Sequence, residues 1–481
     1  MILYLLGRIM ILEAGLMVPS VIISLASHDG SWWAFLVTMA FLVAVGIAIS
    51  IRKPEDTSIY SREGLITVAL AWVIISLTGA MPMFLSGAVP NYVDALFETA
   101  SGFTTTGASA LTSVEDLPRA VLFWRSFTHW VGGMGVLVLV LAILPISDDR
   151  SMTLMRAEVP GPIAGKLVPR MRKTAFYLYA VYTAMTLVLV VLLLFSGIGA
   201  FDSFCLAFGT AGTGGFAVTN AGVGGYNNAY VEIVISIFML LFGINFNLYY
   251  LILIKRWREA LRSEELHVFG AVVAFAVVTI AISIYGTYRS VGTSLRLALF
   301  QTASIISTTG FATADFNTWP VYAQCVLVVL MFIGGCAGST GGGIKVSRVM
   351  ILFKSAIAEI RHTAHPHAVT MVRVDGKRVD KATLTSVRNY LALYVFILAL
   401  VTLLISAVDG QYDFATHFTA AVSCFNNIGP GLSAVGPYGN FAGYSAFSKI
   451  VLSFAMLAGR LEIYPIALLF SAETWRRTRK I

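Results

Sequence analysis

Four short segments of this sequence combine hydroxyl or amide side chains with a closing glycine, a composition that suits coordination of a cation by backbone carbonyl oxygens. A cation that has lost its water needs several carbonyls turned toward one axis. Glycine allows the unusual backbone dihedral angles of such a turn, because it has no Cβ atom. The four segments therefore predict the walls of one ion-selectivity filter that binds a cation through its backbone carbonyls. The filter residues are Thr105, Thr106, Gly107, Thr213, Gly214, Gly215, Thr308, Thr309, Gly310, Asn427, Ile428 and Gly429.

The residues before these glycines repeat along the chain. The string Phe97-Glu98-Thr99-Ala100-Ser101 begins ten residues before Gly107, and Phe300-Gln301-Thr302-Ala303-Ser304 begins ten residues before Gly310. A single threonine–glycine pair is usually an ordinary loop. Repetition at matched offsets instead favours four copies of one structural unit, all running in the same direction.

The composition places these units in a membrane. The chain has 481 residues, of which 57% are hydrophobic and 12% are charged. Soluble domains carry about 25% charged residues, so the sequence predicts an all-α polytopic membrane protein that contacts the lipid bilayer. The net charge of +8 is then explained by basic loops at the membrane surface and does not indicate nucleic-acid binding.

Apolar runs of about 20 residues can span a bilayer as a helix. By that measure the sequence predicts ten transmembrane helices, with a shorter apolar run of about three helical turns before each filter segment. The predicted spans lie near residues 3–26, 32–51, 64–86, 120–145, 174–196, 229–254, 266–286, 320–336, 386–408 and 446–471. The predicted half-helices cover residues 93–103, 201–211, 294–306 and 413–425.

The order of these runs predicts a domain organisation. From about residue 64 the chain consists of four repeats of helix, pore helix, filter and helix, in a pseudo-fourfold arrangement around one pore. A two-helix extension precedes them, and a cytoplasmic hairpin loop opens the fourth repeat. The boundaries are 1–63 for the extension, and 64–150, 151–262, 263–362 and 363–481 for the four pore units.

Lysine and arginine predict the orientation. All but six of the 33 basic residues lie near the N-terminus, in alternate loops or in the C-terminal tail. Because cytoplasmic loops of membrane proteins are enriched in Lys and Arg, both termini are expected in the cytoplasm and the filter segments in the outer half of the membrane.

A glycine-rich stretch interrupts the eighth predicted span. Residues 334–345, named here the glycine loop, read Gly-Gly-Cys-Ala-Gly-Ser-Thr-Gly-Gly-Gly-Ile-Lys. Irregular backbone inside a membrane is tolerated where it is buried or lines water, so the loop is expected to plug the pore below the filter. Tight helix packing through small residues is the alternative. The expected gate residues are Gly338, Ser339, Thr340, Gly341, Gly342, Gly343, Lys345 and Arg460.

Arg460 lies in the middle of the last predicted span. An arginine within the membrane is costly, which favours a functional role. A buried structural ion pair is the alternative. Glu462 is two residues away, so on a continuous helix it would point in another direction.

With these motifs in view, the chain resembles Trk-type potassium uptake proteins, the TrkH family within the TrkH/KtrB/HKT superfamily of potassium transporters. The family pattern of one filter glycine per unit matches Gly107, Gly215, Gly310 and Gly429. The resemblance implies that the glycine loop is an intramembrane gate and that Arg460 is an electrostatic barrier beside it. It also implies a bacterial inner-membrane location, a homodimer, K⁺ as transported ion with no organic cofactor, and a TrkA-like nucleotide-binding regulatory subunit in the cytoplasm.

Three other readings are weighed against potassium uptake. A sodium-permeable or Na⁺/H⁺-coupled cation transporter of the same fold stays open. An intramembrane enzyme or receptor is not expected, because His129 and His417 lack a matching nucleophile and acid motif. An alternating-access carrier with inverted repeats is disfavoured by the parallel direction of the units.

The basic stretch 372–379, with Asp375-Gly376 at its centre, predicts a hairpin that could dock an acidic or nucleotide-bearing partner.

Overall fold

The computed structural model describes residues 1–52, 61–135, 171–367 and 371–471. The chain is mostly helical in these ranges, with one short antiparallel hairpin. The α-helices are Ile2–Leu16, Val18–Ser27, Trp32–Ser50, Ser61–Leu85, Tyr92–Phe103, Arg119–Gly133, Met171–Leu194, Ala200–Gly212, Ala229–Phe242, Phe246–Leu253, Trp257–Ala260, Glu264–Tyr288, Val291–Ile306, Val321–Ile333, Val346–Ala364, Lys381–Val408, Phe414–Asn426, Ala446–Arg460 and Tyr464–Phe470. The 3₁₀-helices are Gly222–Tyr226, Phe316–Thr318 and Ser433–Val435, and the strands are Arg373–Val374 and Lys377–Arg378.

Long apolar helices make this a membrane protein. In the described ranges six helices are long and apolar enough to cross a bilayer. A seventh candidate is the pair Ala229–Phe242 and Phe246–Leu253, which is bent by 89°. Large apolar side chains such as Ile282 and Phe396 lie exposed on these helices, as expected where the solvent is lipid.

Four short helices lie where the sequence predicts half-helices: Tyr92–Phe103, Ala200–Gly212, Val291–Ile306 and Phe414–Asn426. Three begin with a side-chain cap that accepts a hydrogen bond from a backbone N–H of the first turn. Such caps satisfy donors that a helix leaves unpaired at its start. The capping residues are Asn91, Ser290 and Asp413.

Each half-helix packs against three other helices in a repeated pattern. Two are the helices that flank it in its own repeat, and the third is the second helix of the preceding repeat. The first half-helix closes the cycle, because its third neighbour is Ala446–Arg460 of the fourth repeat. The packing therefore brings the C-terminal ends of all four half-helices, and the segments that follow them, to one place.

Within the described ranges, the second helices of three predicted pore units are interrupted. Between 229 and 254, and again between 446 and 471, the sequence predicts continuous spans, and the structure corrects both. The first breaks at residues 243–245, where Asn245 caps a new helix by accepting from the N–H of Asn247 at 2.9 Å. The second breaks at 461–463, where Glu462 and Ile463 adopt positive φ angles of 58° and 68°. The predicted break at 334–345 is present, and the span predicted at 120–145 is described only as far as residue 135.

Candidate functional site

The four predicted filter segments share one backbone conformation. The residue two positions before the glycine is left-handed in each: φ is 57° at Thr105, 55° at Thr213, 61° at Thr308 and 56° at Asn427. The closing glycines also have positive φ, between 77° and 104°. Residues other than glycine rarely adopt positive φ angles. Because these angles recur at the same position of all four segments, the segments share one local structure. The glycines are Gly107, Gly215, Gly310 and Gly429.

Each segment is fastened to the end of its own half-helix by an equivalent hydrogen bond. The N–H of the residue before the glycine donates to the carbonyl five positions earlier, at 2.8 to 3.0 Å. The half-helix thereby fixes the position of its segment. The donors and acceptors are Thr106 and Ser101, Gly214 and Gly209, Thr309 and Ser304, and Ile428 and Ser423.

The segments meet in a closed ring. A Cβ atom added to Gly107 would lie within 3.0 Å of the carbonyl oxygen of Gly214 in the second segment. The same close approach joins the second segment to the third, the third to the fourth, and the fourth back to the first. In every case the carbonyl belongs to the residue just before the next glycine. The remaining contacts are Gly215 with Thr309, Gly310 with Ile428, and Gly429 with Thr106. A side chain at any of these glycines would collide with a neighbouring backbone.

A cavity of about 190 Å³ lies at one end of this ring, and all four glycines line it. Arg125 also lines the cavity and forms a buried ion pair with Glu98 at 2.8 Å. Its guanidinium lies 4.0 Å from the centre of the Phe216 ring. The ion pair leaves this wall of the cavity without a net positive charge that would repel cations.

The glycine loop contacts the opposite end of the ring. The N–H of Gly342 donates to the hydroxyl of Thr308 at 2.6 Å, and a Cβ on Gly342 would collide with the carbonyl of Asn426. Gly341 lies against the carbonyl of Ser307, and its own carbonyl accepts from the buried Lys345 ammonium. The loop therefore lies directly under the third and fourth segments.

The helix pair Ala229–Phe242 and Phe246–Leu253 supports the loop from the side. Cys336 donates its N–H to the carbonyl of Gly243 at 2.9 Å, and Phe246 donates to the carbonyl of Gly338 at 3.0 Å. The hydroxyl of Thr340 bonds the carbonyl of Phe242 at 3.2 Å. At the break at 243–245, backbone N–H and C=O groups that would bond one another in a continuous helix bond the glycine loop instead.

Arg460 connects the loop to the first repeat. Its Nη1 donates to the carbonyl of Thr340 at 2.7 Å, and its Nη2 donates to the carbonyls of Gly132 and Gly133, both at 2.6 Å. Glu462 faces elsewhere, as expected, but not because of helical spacing, since the helix ends at Arg460. It forms an ion pair with Arg348, with Nη1 and Oε1 at 3.0 Å.

Comparison with known proteins agrees with this architecture. A family model described as TrkH, cation transport protein, matches residues 33–477. The chain belongs to the TrkH family. It is 37% identical to the Trk system potassium uptake protein TrkH of Salmonella typhimurium, over 98% of each chain. A TrkH of Halomonas elongata is 34% identical over 99% of each chain. The crystal structure of the potassium transporter TrkH from Vibrio parahaemolyticus matches with a TM-score of 0.88 and 29% identity, over 99% of each chain. As a member of this family the protein is a transporter and not an enzyme.

The sequence does not predict the position of one residue at this TrkH-family site. His129 lies between the first two predicted filter segments, where its Nδ1 bonds the carbonyl of Gly102 at 2.8 Å. Its Nε2 accepts from the N–H of Phe216 at 3.2 Å, which requires the tautomer protonated at Nδ1. A lone histidine in an apolar run carries no signal that distinguishes this bridging position from ordinary packing.

Proposed function

We propose that this protein takes up potassium across the bacterial inner membrane through a filter formed by residues 105–107, 213–215, 308–310 and 427–429. The observation that carries the proposal is the closed ring of four glycine-terminated segments. Carbonyl oxygens of these segments would replace the hydration shell of K⁺. The four half-helices contribute as well, because each C-terminal end carries about half a negative charge.

The glycine loop and Arg460 form the gate in this proposal. The loop lies against the end of the ring opposite the cavity, so an ion leaving the filter meets it next. Arg460 adds a positive charge at the same level, which opposes passage of a cation. Opening then requires the loop to leave Thr308 and Arg460 to release the carbonyl of Thr340. The gate residues are Gly338, Ser339, Thr340, Gly341, Gly342, Gly343, Lys345 and Arg460.

The proposal includes ten membrane passes, cytoplasmic termini and four pore units after a two-helix extension. It also includes a homodimer and a TrkA-like regulatory subunit that contacts the cytoplasmic face. Relatives named as components of the Trk system support such a partner. The hairpin formed by Arg373–Val374 and Lys377–Arg378 exposes three basic side chains, which suit an acidic or nucleotide-bearing surface.

The decisive experiment measures rubidium and sodium uptake into liposomes that contain the purified full-length chain under an imposed voltage. Rubidium uptake that potassium blocks, with little sodium uptake, is the expected result. Comparable sodium uptake would favour the sodium-permeable alternative, and uptake that needs a sodium or proton gradient would favour a coupled transporter. A variant lacking residues 341–343 serves as the open reference. Absence of flux in both proteins would contradict the proposal.

A further inference from the structure

Glu265 lies between the two ends of the glycine loop. It is the second residue of the helix Glu264–Tyr288, and only 8% of it is exposed. One oxygen, Oε1, accepts from the N–H of Ala337 at 2.7 Å and from the N–H of Ser347 at 3.1 Å. Ala337 lies near the start of the loop and Ser347 lies just beyond its end. A single carboxylate therefore fastens both ends.

This arrangement differs from the usual role of an acidic residue at a helix start. Such residues stabilise their own helix and are normally solvated. A buried carboxylate is costly unless it is hydrogen-bonded, and bonds to a charged acceptor are stronger than neutral ones. Glu265 instead uses its charge on two N–H groups of another segment. Those groups can both reach Oε1 only while the loop ends stay close together.

A second set of contacts connects the same helix start to the cytoplasmic hairpin. Asp375, at the hairpin turn, accepts from the backbone N–H of Glu264 at 2.7 Å. The ammonium of Lys354 bonds both the Glu264 carboxylate and the carbonyl of Arg373, the latter at 2.8 Å. The hairpin thus holds the residue adjacent to Glu265.

We infer that Glu265 is a positioning residue that holds the glycine loop closed, and that the hairpin of residues 373–378 controls the gate through Glu264 and Glu265. The inference rests on the proposed role of the loop as a gate. A cytoplasmic protein with an acidic surface would pull the exposed basic hairpin. The pull draws Oε1 away from Ala337 or Ser347, and the loop ends separate.

The test combines hydrogen–deuterium exchange with rubidium flux on the purified full-length chain without a partner. In Glu265→Ala we expect the amides of Ala337 and Ser347 to exchange about tenfold faster, the factor for one lost bond to a charged acceptor. Rubidium flux should rise as well. Glu265→Gln keeps the accepting oxygen without the charge. Its amide exchange and its rubidium flux should lie between those of the parent protein and those of Glu265→Ala. Glu259→Ala removes an exposed ion pair with Arg256 and should change neither quantity.

The exchange measurement separates this inference from the proposed function. Unchanged exchange in Glu265→Ala, or in Glu265→Gln if the alanine variant does not fold, overturns the role of Glu265. Faster exchange without faster flux overturns its control of the gate, provided that deletion of residues 341–343 raises flux. If that deletion gives no flux, the proposed function fails while exchange still decides whether Glu265 fastens the loop.

The hairpin has its own variant. Asp375→Gly removes the carboxylate that accepts from the N–H of Glu264. Glycine adopts the positive φ of 49° at this position without strain. We expect faster exchange at Ala337 and Ser347, by a smaller factor than in Glu265→Ala. Exchange equal to that of the parent protein would overturn the hairpin connection alone.

Discussion

The backbone N–H of Gly342 donates a hydrogen bond of 2.6 Å to the side-chain hydroxyl of Thr308. Thr308 is the left-handed residue of the third predicted filter segment, and Gly342 lies in the glycine loop. This bond joins the element that we propose to select the ion with the element that we propose to stop it. The glycine loop is therefore held partly by the predicted filter segment.

Replacing Thr308 with valine should weaken the closed state. Valine keeps the shape of threonine and removes the accepting oxygen, so the N–H of Gly342 loses its partner. A typical net hydrogen-bond contribution corresponds to an increase of about three- to tenfold in partner-free rubidium flux. Thr308→Ser is the matched control, because it keeps the hydroxyl. Equal flux in the two variants would show that this bond does not hold the loop.

Replacing Gly310 with serine should admit sodium. A Cβ at this position would collide with the carbonyl of Ile428, and φ is 83°, so the third and fourth segments must move apart. Widening the ring weakens the distinction between K⁺ and Na⁺. We expect the rubidium-to-sodium uptake ratio to fall toward one in liposomes.

Gly292→Ser provides the control for this variant. Gly292 lies in the half-helix that precedes the segment of Gly310, a Cβ there meets nothing within 4 Å, and its φ is ordinary. Serine at Gly292 should leave the uptake ratio unchanged. An unaltered rubidium-to-sodium uptake ratio in Gly310→Ser, with folded protein and measurable flux, would show that Gly310 is not part of the filter.

The four glycine-terminated segments that meet in the ring could be located from sequence because their signal is repeated. Glycine at matched offsets after a half-length apolar run occurs four times, and the structure brings Gly107, Gly215, Gly310 and Gly429 together. The glycine loop was equally visible, since consecutive glycines are rare within an apolar span. These features depend on the local backbone conformation, and the positions of the glycines indicate that conformation directly.

Features that depend on contacts between distant segments could not be predicted. The breaks at 243–245 and 461–463 lie in apolar runs that favour continuous helices. At 243–245 the glycine loop takes over backbone hydrogen bonds of the helix. Glu462 pairs with Arg348, 114 positions earlier in the chain. Glu265 has the sequence signature of an ordinary acidic residue at a helix start. In each case tertiary contacts override the local pattern.

Removing the Arg460 guanidinium should open the pore. The group donates to three carbonyls, one in the glycine loop and two at the end of the helix Arg119–Gly133. Arg460→Ala removes these bonds together with the positive charge, so partner-free rubidium flux should rise more than in Thr308→Val. Arg460→Lys keeps the charge but not the planar set of donors, and should give a smaller increase.

An exposed arginine supplies the comparison for Arg460. Arg258 lies on the short helix Trp257–Ala260 with its guanidinium over the Trp257 ring. Arg258→Ala changes the net charge by the same amount and should leave flux unaltered. If Arg460→Ala abolished flux in folded protein, Arg460 would support the structure of the pore and would not oppose permeation.

The buried pair between Glu98 and Arg125 should contribute to both stability and uptake. Neither side chain is more than 2% exposed, and removing one member of such a pair costs about 3–5 kcal/mol because the other charge stays buried. Glu98→Gln should therefore lower the thermal unfolding midpoint in detergent. It should also slow rubidium uptake, since an unpaired Arg125 would face the cavity at the filter.

The double variant Glu98→Gln with Arg125→Gln tests the cause of both effects. Glutamine already occupies the matching position of the third repeat, where Gln301 is fully buried, so the half-helix accepts this side chain. With no charge left, stability and uptake should both recover relative to Glu98→Gln alone. Glu259→Gln, which breaks an exposed pair, should cost less than about 1 kcal/mol. If the double variant recovered stability but not uptake, the carboxylate of Glu98 itself, and not neutralisation of Arg125, would be what the entering cation requires.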